Sequence, residues 1–492
     1  MLKRSRALAS VAAIAILSGI AAPAWAETLK EALALAYQTN PSLLAQRASQ
    51  RALDESIVQA RAGLRPQLDV TASANYSRSD TPLGVVESDT GGASVGLSQT
   101  IWSGGRIGHG ITAAEANILA GRENLREIEQ TVLASVIQAY ADVIRDAEIL
   151  RIRQSNLGVL RRQLDESSAR FEVGEITRTD VAQSEARLAQ SEADLANAQA
   201  QLSVSRAVYA AVVGQAPGDL APMPALPNLP ADFDAALDVA MQDNPSIRAA
   251  GYTLQAAEAN VAAARAEYLP SARLTASYGG ETGDLGSLGD ITDNTSFRAG
   301  ATVSVPLFTG GLNSSRVAQA RERANVAQIN VEGERRNTLQ SVSSAYAQSL
   351  SARSTLTAGE EAVRAATVAA EGVRQEAQVG LRTTLDVLNQ ELELRNAEVT
   401  LASARRNEYV AQANLLAAMG RLEGPDLDAS IQVYDPADNY NRVRNRGSLP
   451  WDGLIESIDR IAAPSIMPAN DAADAPIDTQ LKSEVVQTAP RD

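Results

Sequence analysis

The sequence predicts a mainly α-helical protein that also carries membrane β-structure, organised as two internal repeats, each with long coiled-coil helices and one β-hairpin. Three observations predict it. Landmarks recur along the chain at a nearly constant offset, helical and two-residue periodicities follow one another in the same order in both halves, and two proline-free helical stretches of about 65 residues each begin just after a Gly-Gly pair.

Lys3, Arg4 and Arg6, an apolar run from Ala7 to Ile20, and the small residues Ala24 and Ala26 describe a cleaved secretory leader over residues 1–26. The mature chain is expected to begin at Glu27. Removing three positive charges and no negative ones takes the net charge from −15 to −15 − 3 = −18.

The repeats are read from matched landmarks. Asn40-Pro41 and Asn244-Pro245 lie 244 − 40 = 204 residues apart. Trp102-Ser103-Gly104-Gly105 and Phe308-Thr309-Gly310-Gly311 lie 308 − 102 = 206 apart, and that offset persists through Gly174 and Gly380, Asp180 and Asp386, and Gly214 and Gly420. Repeat 1 is therefore placed at 27–214, repeat 2 at 231–422, and the proline-rich segment 215–230 reads as an extended, semi-rigid connector.

Within each repeat the order is the same. A helical stretch from Pro41 to Leu64 stops at Pro66, and "QLDVTASANYS" then alternates Leu68, Val70, Ala72, Ala74 and Tyr76 against Asp69, Thr71, Ser73, Asn75 and Ser77. A turn-rich stretch over 80–91 and a second strand near 92–102 complete a hairpin near 67–102; its counterpart lies near 271–308. At about 1.5 Å per residue the helix after each Gly-Gly makes a rod of roughly 100 Å. A glycine, Gly174 or Gly380, interrupts it, and a helix of roughly 40 residues returns. The returning helices carry a seven-residue period, Val181, Leu188, Leu195, Leu202 and Tyr209 in one, Val387, Leu394, Leu401, Glu408 and Leu415 in the other, with alanines beside it. Such heptads imply paired, closely packed helices. The short helix before each hairpin and the returning helix together match the long helix in length, so the two would stack end to end alongside it. The tail, 423–492, is rich in Pro, Asp and Asn and is expected to be periplasmic and partly disordered.

Composition excludes several functions. The acidity argues against nucleic acid as a partner. With no cysteine there is no disulfide, thiol chemistry or acylated anchor, and the one histidine, His109, reads as a polar surface residue. No nucleophile, base and orienter occur with a phosphate loop or metal cluster, so neither catalysis nor a cofactor is expected. No apolar run after the leader is long enough for a spanning helix, so a membrane would be entered by strands.

Apolar-out, polar-in strands of about ten residues suit the wall of an outer-membrane barrel. Trp102 and Phe308, at strand ends, are placed at the membrane interface. Four strands cannot close a barrel alone, and an open edge in lipid is costly. Two chains would give eight strands and a filled interior, while three give twelve and an open one.

The two-fold repeat, the Asn-Pro helix starts, "IWSGGR", "PLFTGGL" and "VGLRTTLDV" resemble the TolC-like outer-membrane channel family over residues 27–422. The resemblance implies a homotrimer with a twelve-stranded barrel in outer-membrane lipid and a helical barrel crossing the periplasm. Its partners would be a periplasmic adaptor and an inner-membrane ABC or other transporter. It puts the two glycine turns at the periplasmic tip and implies a gate there: Arg382 linking to Thr179 and Asp180 of the neighbouring coiled coil, and Asp386 as an acidic constriction residue. A second acid expected three positions on is Asn389, and a linking tyrosine is Ala377. Three converging copies of Asp386 would repel one another and raise their own pKa. "VYDPADNYNRVRNRG" is similar to tails of channels serving type I protein secretion. The implied function is an export duct for type I secretion, efflux or both; the alternative is a secreted trimeric coiled-coil adhesive protein with no pore.

Overall fold

The computed structural model describes residues 26–284, 291–428 and 431–469. The proposed leader therefore lies, except for Ala26, outside the described residues, as does the tail beyond 469.

In repeat 1, α1 (Leu29–Thr39), α2 (Pro41–Asp54) and α3 (Ser56–Ala62) lead into β1 (Gln67–Thr81) and β2 (Gly84–Trp102), then α4 (Arg106–Glu172) and α5 (Arg178–Val213). Repeat 2 runs α6 (Phe233–Asp243), α7 (Pro245–Ala266), β3 (Ser271–Thr282), β4 (Thr295–Ser304), α8 (Leu312–Gln378) and α9 (Thr384–Ala418). Three short tail helices follow: α10 (Gly424–Leu427), α11 (Ala437–Val443) and α12 (Asp452–Asp459). The long helices α4 and α8 have 67 residues each, so each is a rod of about 100 Å.

The four strands form one antiparallel sheet in the order β1-β2-β3-β4. Its register sorts the side chains into rows. Val70 faces Val95, which faces Tyr278, which faces Phe297; one step along, Asp69 faces Gly96, which faces Ser277, which faces Arg298. One face is therefore apolar and the other polar, as the alternation requires. Val70, Tyr278 and Phe297 are exposed in the single chain, which is the face a lipid environment would cover.

Two strand expectations need correction. The turn-rich stretch 80–91 is mostly strand: β1 and β2 stay paired up to Thr81 and Gly84, with only Pro82 and Leu83 between. Cross-strand pairing, including the Arg78–Glu87 ion pair at 2.9 Å, overrides the turn-forming composition. β4 ends at Ser304, so Phe308 lies beyond the strand and is 91 % exposed, with Pro306 unable to donate to a ladder. Trp102 does end β2, and its Nε1 donates to the Ile461 carbonyl at 3.0 Å.

The helices form columns. Asn40 caps α2 by accepting from the Ser42 and Leu43 amides, while its Nδ2 donates to the Val212 carbonyl at the end of α5 at 3.0 Å. Asn244 repeats this between α7 and α9, donating to the Ala418 carbonyl at 3.1 Å. Each asparagine thus closes an end-to-end joint, satisfying orphan donors of one helix and an orphan carbonyl of another. The α9–α7 column lies between α4 and α8, and the α5–α2 column lies on the other side of α4. Each column runs into its own strand: α3 into β1, α4 from β2, α7 into β3, α8 from β4.

The main core lies at mid-height, where α1, the connector and α10 cover α4: Leu33, Tyr37, Leu133, Ile137, Tyr140 and Tyr209 are fully enclosed. Tyr140 donates to the Glu27 and Ala221 carbonyls, and burial pushes its hydroxyl up to about 12.

The described part of the tail joins its three short helices by turns and extended segments that pack on the body of the chain. It climbs along α4 from mid-height towards the sheet, tied by Asn439 to Asp54 (2.8 Å), Arg446 to Glu55 (2.8 Å) and Asp452 to Arg65 (2.9 Å). Asp459, fully buried, accepts from the Ser103 amide and hydroxyl (2.5 and 2.8 Å) and the Gly108 amide (3.1 Å), so it caps the N-terminus of α4. Over these described residues the charged and polar side chains are used in pairings with partners more than 350 positions away, which no local pattern reveals.

Candidate functional site at the turn end of the helical hairpins

The α4–α5 and α8–α9 turns share one construction. Gly174 and Gly380 each have φ +79, a left-handed conformation that favours glycine, and each has open space where a Cβ would lie. The Leu381 amide donates to the Glu376 carbonyl (2.9 Å) and the Gly380 amide to that of Ala377 (3.1 Å), the Schellman pattern that ends a helix; Glu175 and Gly174 do the same with Arg170 and Phe171.

The next helix starts immediately on a capping box. Thr383 Oγ1 accepts from the Asp386 amide at 3.2 Å, and Asp386 Oδ2 accepts from the Thr383 amide at 3.0 Å. Thr177 and Asp180 form the same pair at 3.3 and 2.9 Å. The backbone amide of the capping threonine, aided by its hydroxyl, holds each aspartate below its ordinary pKa. Within one chain the direction for Asp386 is therefore opposite to that expected from three repelling copies, because a local hydrogen bond stabilises the carboxylate.

Arg382 pairs with neither Thr179 nor Asp180 of its own chain. Its Nε donates to Glu376 Oε2 at 2.7 Å, across the turn, and this pairing keeps the guanidinium firmly protonated. Asp180 is engaged by Thr177, and Thr179 stands exposed in the first turn of α5. Repeat 1 braces its turn with the charges reversed: Arg170 meets Glu175 at 3.1 Å. Arg170 and Glu376 are counterparts at the repeat offset, 376 − 170 = 206, so this signal was present in the sequence.

Two further contacts were not anticipated. Arg187 on α5 donates to Asn389 Oδ1 on α9 at 3.1 Å, joining the two helical hairpins close to the turns. Glu391, 3 % exposed in the α8–α9 seam, is held by Arg374 and Arg395. An acid four positions after Val387, on the face that buries Val387 and Leu394, was its signal. Among the described residues no cluster of His, Cys, Asp or Glu has the form of a metal site, and no helix is long and apolar enough to cross a membrane.

A rod-like helical assembly that runs strand by strand into a sheet with one apolar face is the architecture of an outer-membrane export channel subunit. The chain belongs to the family described as "Outer membrane efflux protein", which matches residues 32–215 and again 236–421. The protein is an outer-membrane channel component extending into the periplasm, and not an enzyme. It is 36 % identical over 447 residues to the outer membrane efflux protein BepC of Brucella suis, covering 90 % of this chain and 96 % of that protein. To the alkaline protease secretion protein AprF of Pseudomonas aeruginosa it is 28 % identical over 340 residues, covering 67 % and 70 %. The crystal structure of the outer membrane protein VceC of Vibrio cholerae superposes with a TM-score of 0.67 at 25 % identity, covering 80 % of this chain and 96 % of that one.

Proposed function

We propose that three copies of this chain form a closed duct that receives substrate from an inner-membrane transporter through a periplasmic adaptor and releases it outside the cell. The observation that carries this reading is that four helical columns continue into four strands, leaving β1 and β4 as unpaired edges. In lipid such edges must pair, and three copies close a twelve-stranded barrel over twelve helical columns. Exposed apolar side chains support closure lower down: Val204 and Val208 on α5, and Val326, Ile329 and Val368 on α8, the two outermost columns.

Twelve columns spaced by about 9–10 Å give a circumference of about 115 Å, hence a bore of about 27 Å after subtracting one helix diameter. A second layer of helices inside it would leave under about 10 Å, so the connector, α1 and α6 belong outside.

The glycine turns form the periplasmic gate in this reading. Asp386 and Asn389 line the constriction, Arg382 braces it through Glu376 and across to Thr179 and Asp180 of the adjoining coiled coil, and Trp102 sits at the membrane interface. Type I secretion is supported by the likeness to AprF and by the tail sequence, efflux by the likeness to BepC.

The test is single-channel recording from purified protein in planar bilayers. The wild type is expected to conduct at a low level and Arg382→Ser at a markedly higher one. Absence of any conductance overturns the duct, and an unchanged trace in Arg382→Ser removes that residue from the gate. In a deletion strain, loss of an exported protein with unchanged drug susceptibility assigns secretion; the converse assigns efflux.

A further inference from the structure

A cavity of about 490 Å³ opens at mid-height between α4, α5, α9 and the connector. Five arginines line it: Arg145 and Arg151 on α4, Arg206 on α5, and Arg405 and Arg406 on α9. The lining carboxylates are Glu148 and Asp219, and the apolar surface includes Ile144, Leu220 and Met223. In a chain with 59 acidic and 44 basic residues, this basin is locally cationic.

The arginines divide into two sets. Arg145 and Arg406 clasp Asp142 from either side at 2.9 and 2.8 Å, Arg145 also bonds Asp146 at 2.7 Å, and the Ser205 hydroxyl donates to Asp146. This network ties all three helices together and makes the base of the cavity rigid. Arg151 pairs with Glu148. Arg206 and Arg405, exposed on opposite walls, make no hydrogen bond and no ion pair within 4.0 Å among the described residues, although Arg405 is near enough to Glu148 to help hold that carboxylate ionised. Two guanidinium forks facing one basin over an apolar surface match an anion bidentately while seating a hydrophobic body. The volume falls within the range of about 300–1,000 Å³ used by small-molecule sites.

We propose that this cavity binds a small amphiphilic anion, a carboxylate or phosphate group on an apolar body, with Arg206 and Arg405 as the residues that bind its charge. All of its walls belong to one chain, so the site does not need the neighbouring copies. Its facing the periplasm rather than the bore rests on the duct reading, in which the connector lies outside. In that assembly it stays open, because Arg206 lies about 200° around α5 from both Val204 and Val208, the stripe a neighbouring copy covers.

The test is isothermal titration of 2-naphthoate, 2-naphthyl phosphate and the uncharged 2-naphthylmethanol into full-length protein in nanodiscs of zwitterionic lipid. Both anions are expected to bind and the alcohol at least about tenfold more weakly, as loss of a charge-assisted contact requires. Arg206→Ala/Arg405→Ala should weaken both anions by at least about tenfold, and Arg364→Ala, exposed on α8, should leave them unchanged. The ratio of carboxylate to phosphate affinity identifies which head group the site serves. Equal binding of the alcohol, or anion binding unaltered in the double variant, overturns the proposal. Binding of a hexaglutamate peptide without either naphthyl anion also overturns it, in favour of a protein-docking surface. Conductance recorded on the same preparations separates failure of this site from failure of the duct.

Discussion

A carboxylate enclosed in an alanine-rich seam is stable only where its charge is answered, and Glu391 is answered from both helices, by Arg374 of α8 and Arg395 of α9. Glu391→Ala removes the acceptor that joins the two helices, while Arg395 keeps Glu398 at 2.8 Å and Arg374 stays half exposed; it is expected to destabilise the α8–α9 pair by about 1–2 kcal/mol, read as earlier thermal unfolding, whereas Glu361→Ala on an exposed pair should change little. Asp386 and Asp180 are governed by their caps. Each has a folded pKa below its ordinary value of 3.8, so the stability it lends is complete above that value and is lost as pH falls through the lowered one. Protection of the first-turn amides of α5 and α9 against hydrogen exchange should therefore be constant above about pH 3.8 and fall below it, and in Asp386→Asn the α9 dependence should vanish while that of α5 remains. Protection independent of pH in both wild-type helices would show that the carboxylates do not serve as caps.

At the scale of elements, the asparagine of each Asn-Pro pair does more than begin a helix. It couples that helix to the end of another about 170 positions away, so α5 with α2, and α9 with α7, behave as single columns. Asn244→Ala should cost about 1–2 kcal/mol, through loss of the cap and of the bond to Ala418, and Asn40→Ala the same. Equal hydrogen-exchange protection at the joint in variant and wild type would contradict this. The described tail reaches both repeats, bonding through Ala469 to Glu258 of α7 (3.1 Å), but the two strand-to-helix junctions differ in how it meets them. Asp459 and Trp102 fix the strand-to-helix junction of repeat 1, whereas Gly310 and Gly311 of repeat 2 have open space around them. Asp459→Ala strands three donors, two of them on buried Ser103, and is expected to cost about 3 kcal/mol and to expose the tail to limited proteolysis; an intact tail would assign the clamp to other contacts.

At the scale of the molecule, each chain is an arc: four columns of helix feeding four strands, with open edges at β1 and β4 and exposed valines along the outer helices. An arc with both edges open predicts association. Val204→Glu/Val208→Glu should weaken the complex, because like charges would enter an apolar contact, and size-exclusion chromatography with light scattering should show a shift from trimer to monomer. A trimer unchanged by both substitutions would place the contact elsewhere. The same arc leaves the arginine-lined cavity on the side walled by the connector, well away from the glycine turns.

What the sequence alone determined is what is periodic or repeated: the long helices after each Gly-Gly, the alternating strands with Val70 and Tyr278 on one face, the glycine turns, and the two-fold repeat itself. These follow from local backbone geometry, in which a period of 3.6 or 2 and a residue tolerant of positive φ leave a visible trace. The length match between the long helix and its two shorter companions was also legible, because rise per residue is constant. Only the tertiary structure decided which charges meet. Arg187 chose Asn389, Asp459 reached back to Ser103, and the residues of 80–91 became strand because a partner strand lay alongside. Those outcomes depend on side chains brought within about 3 Å by packing over separations of up to several hundred residues, and ion pairs and hydrogen bonds between distant segments have no period for a sequence to display.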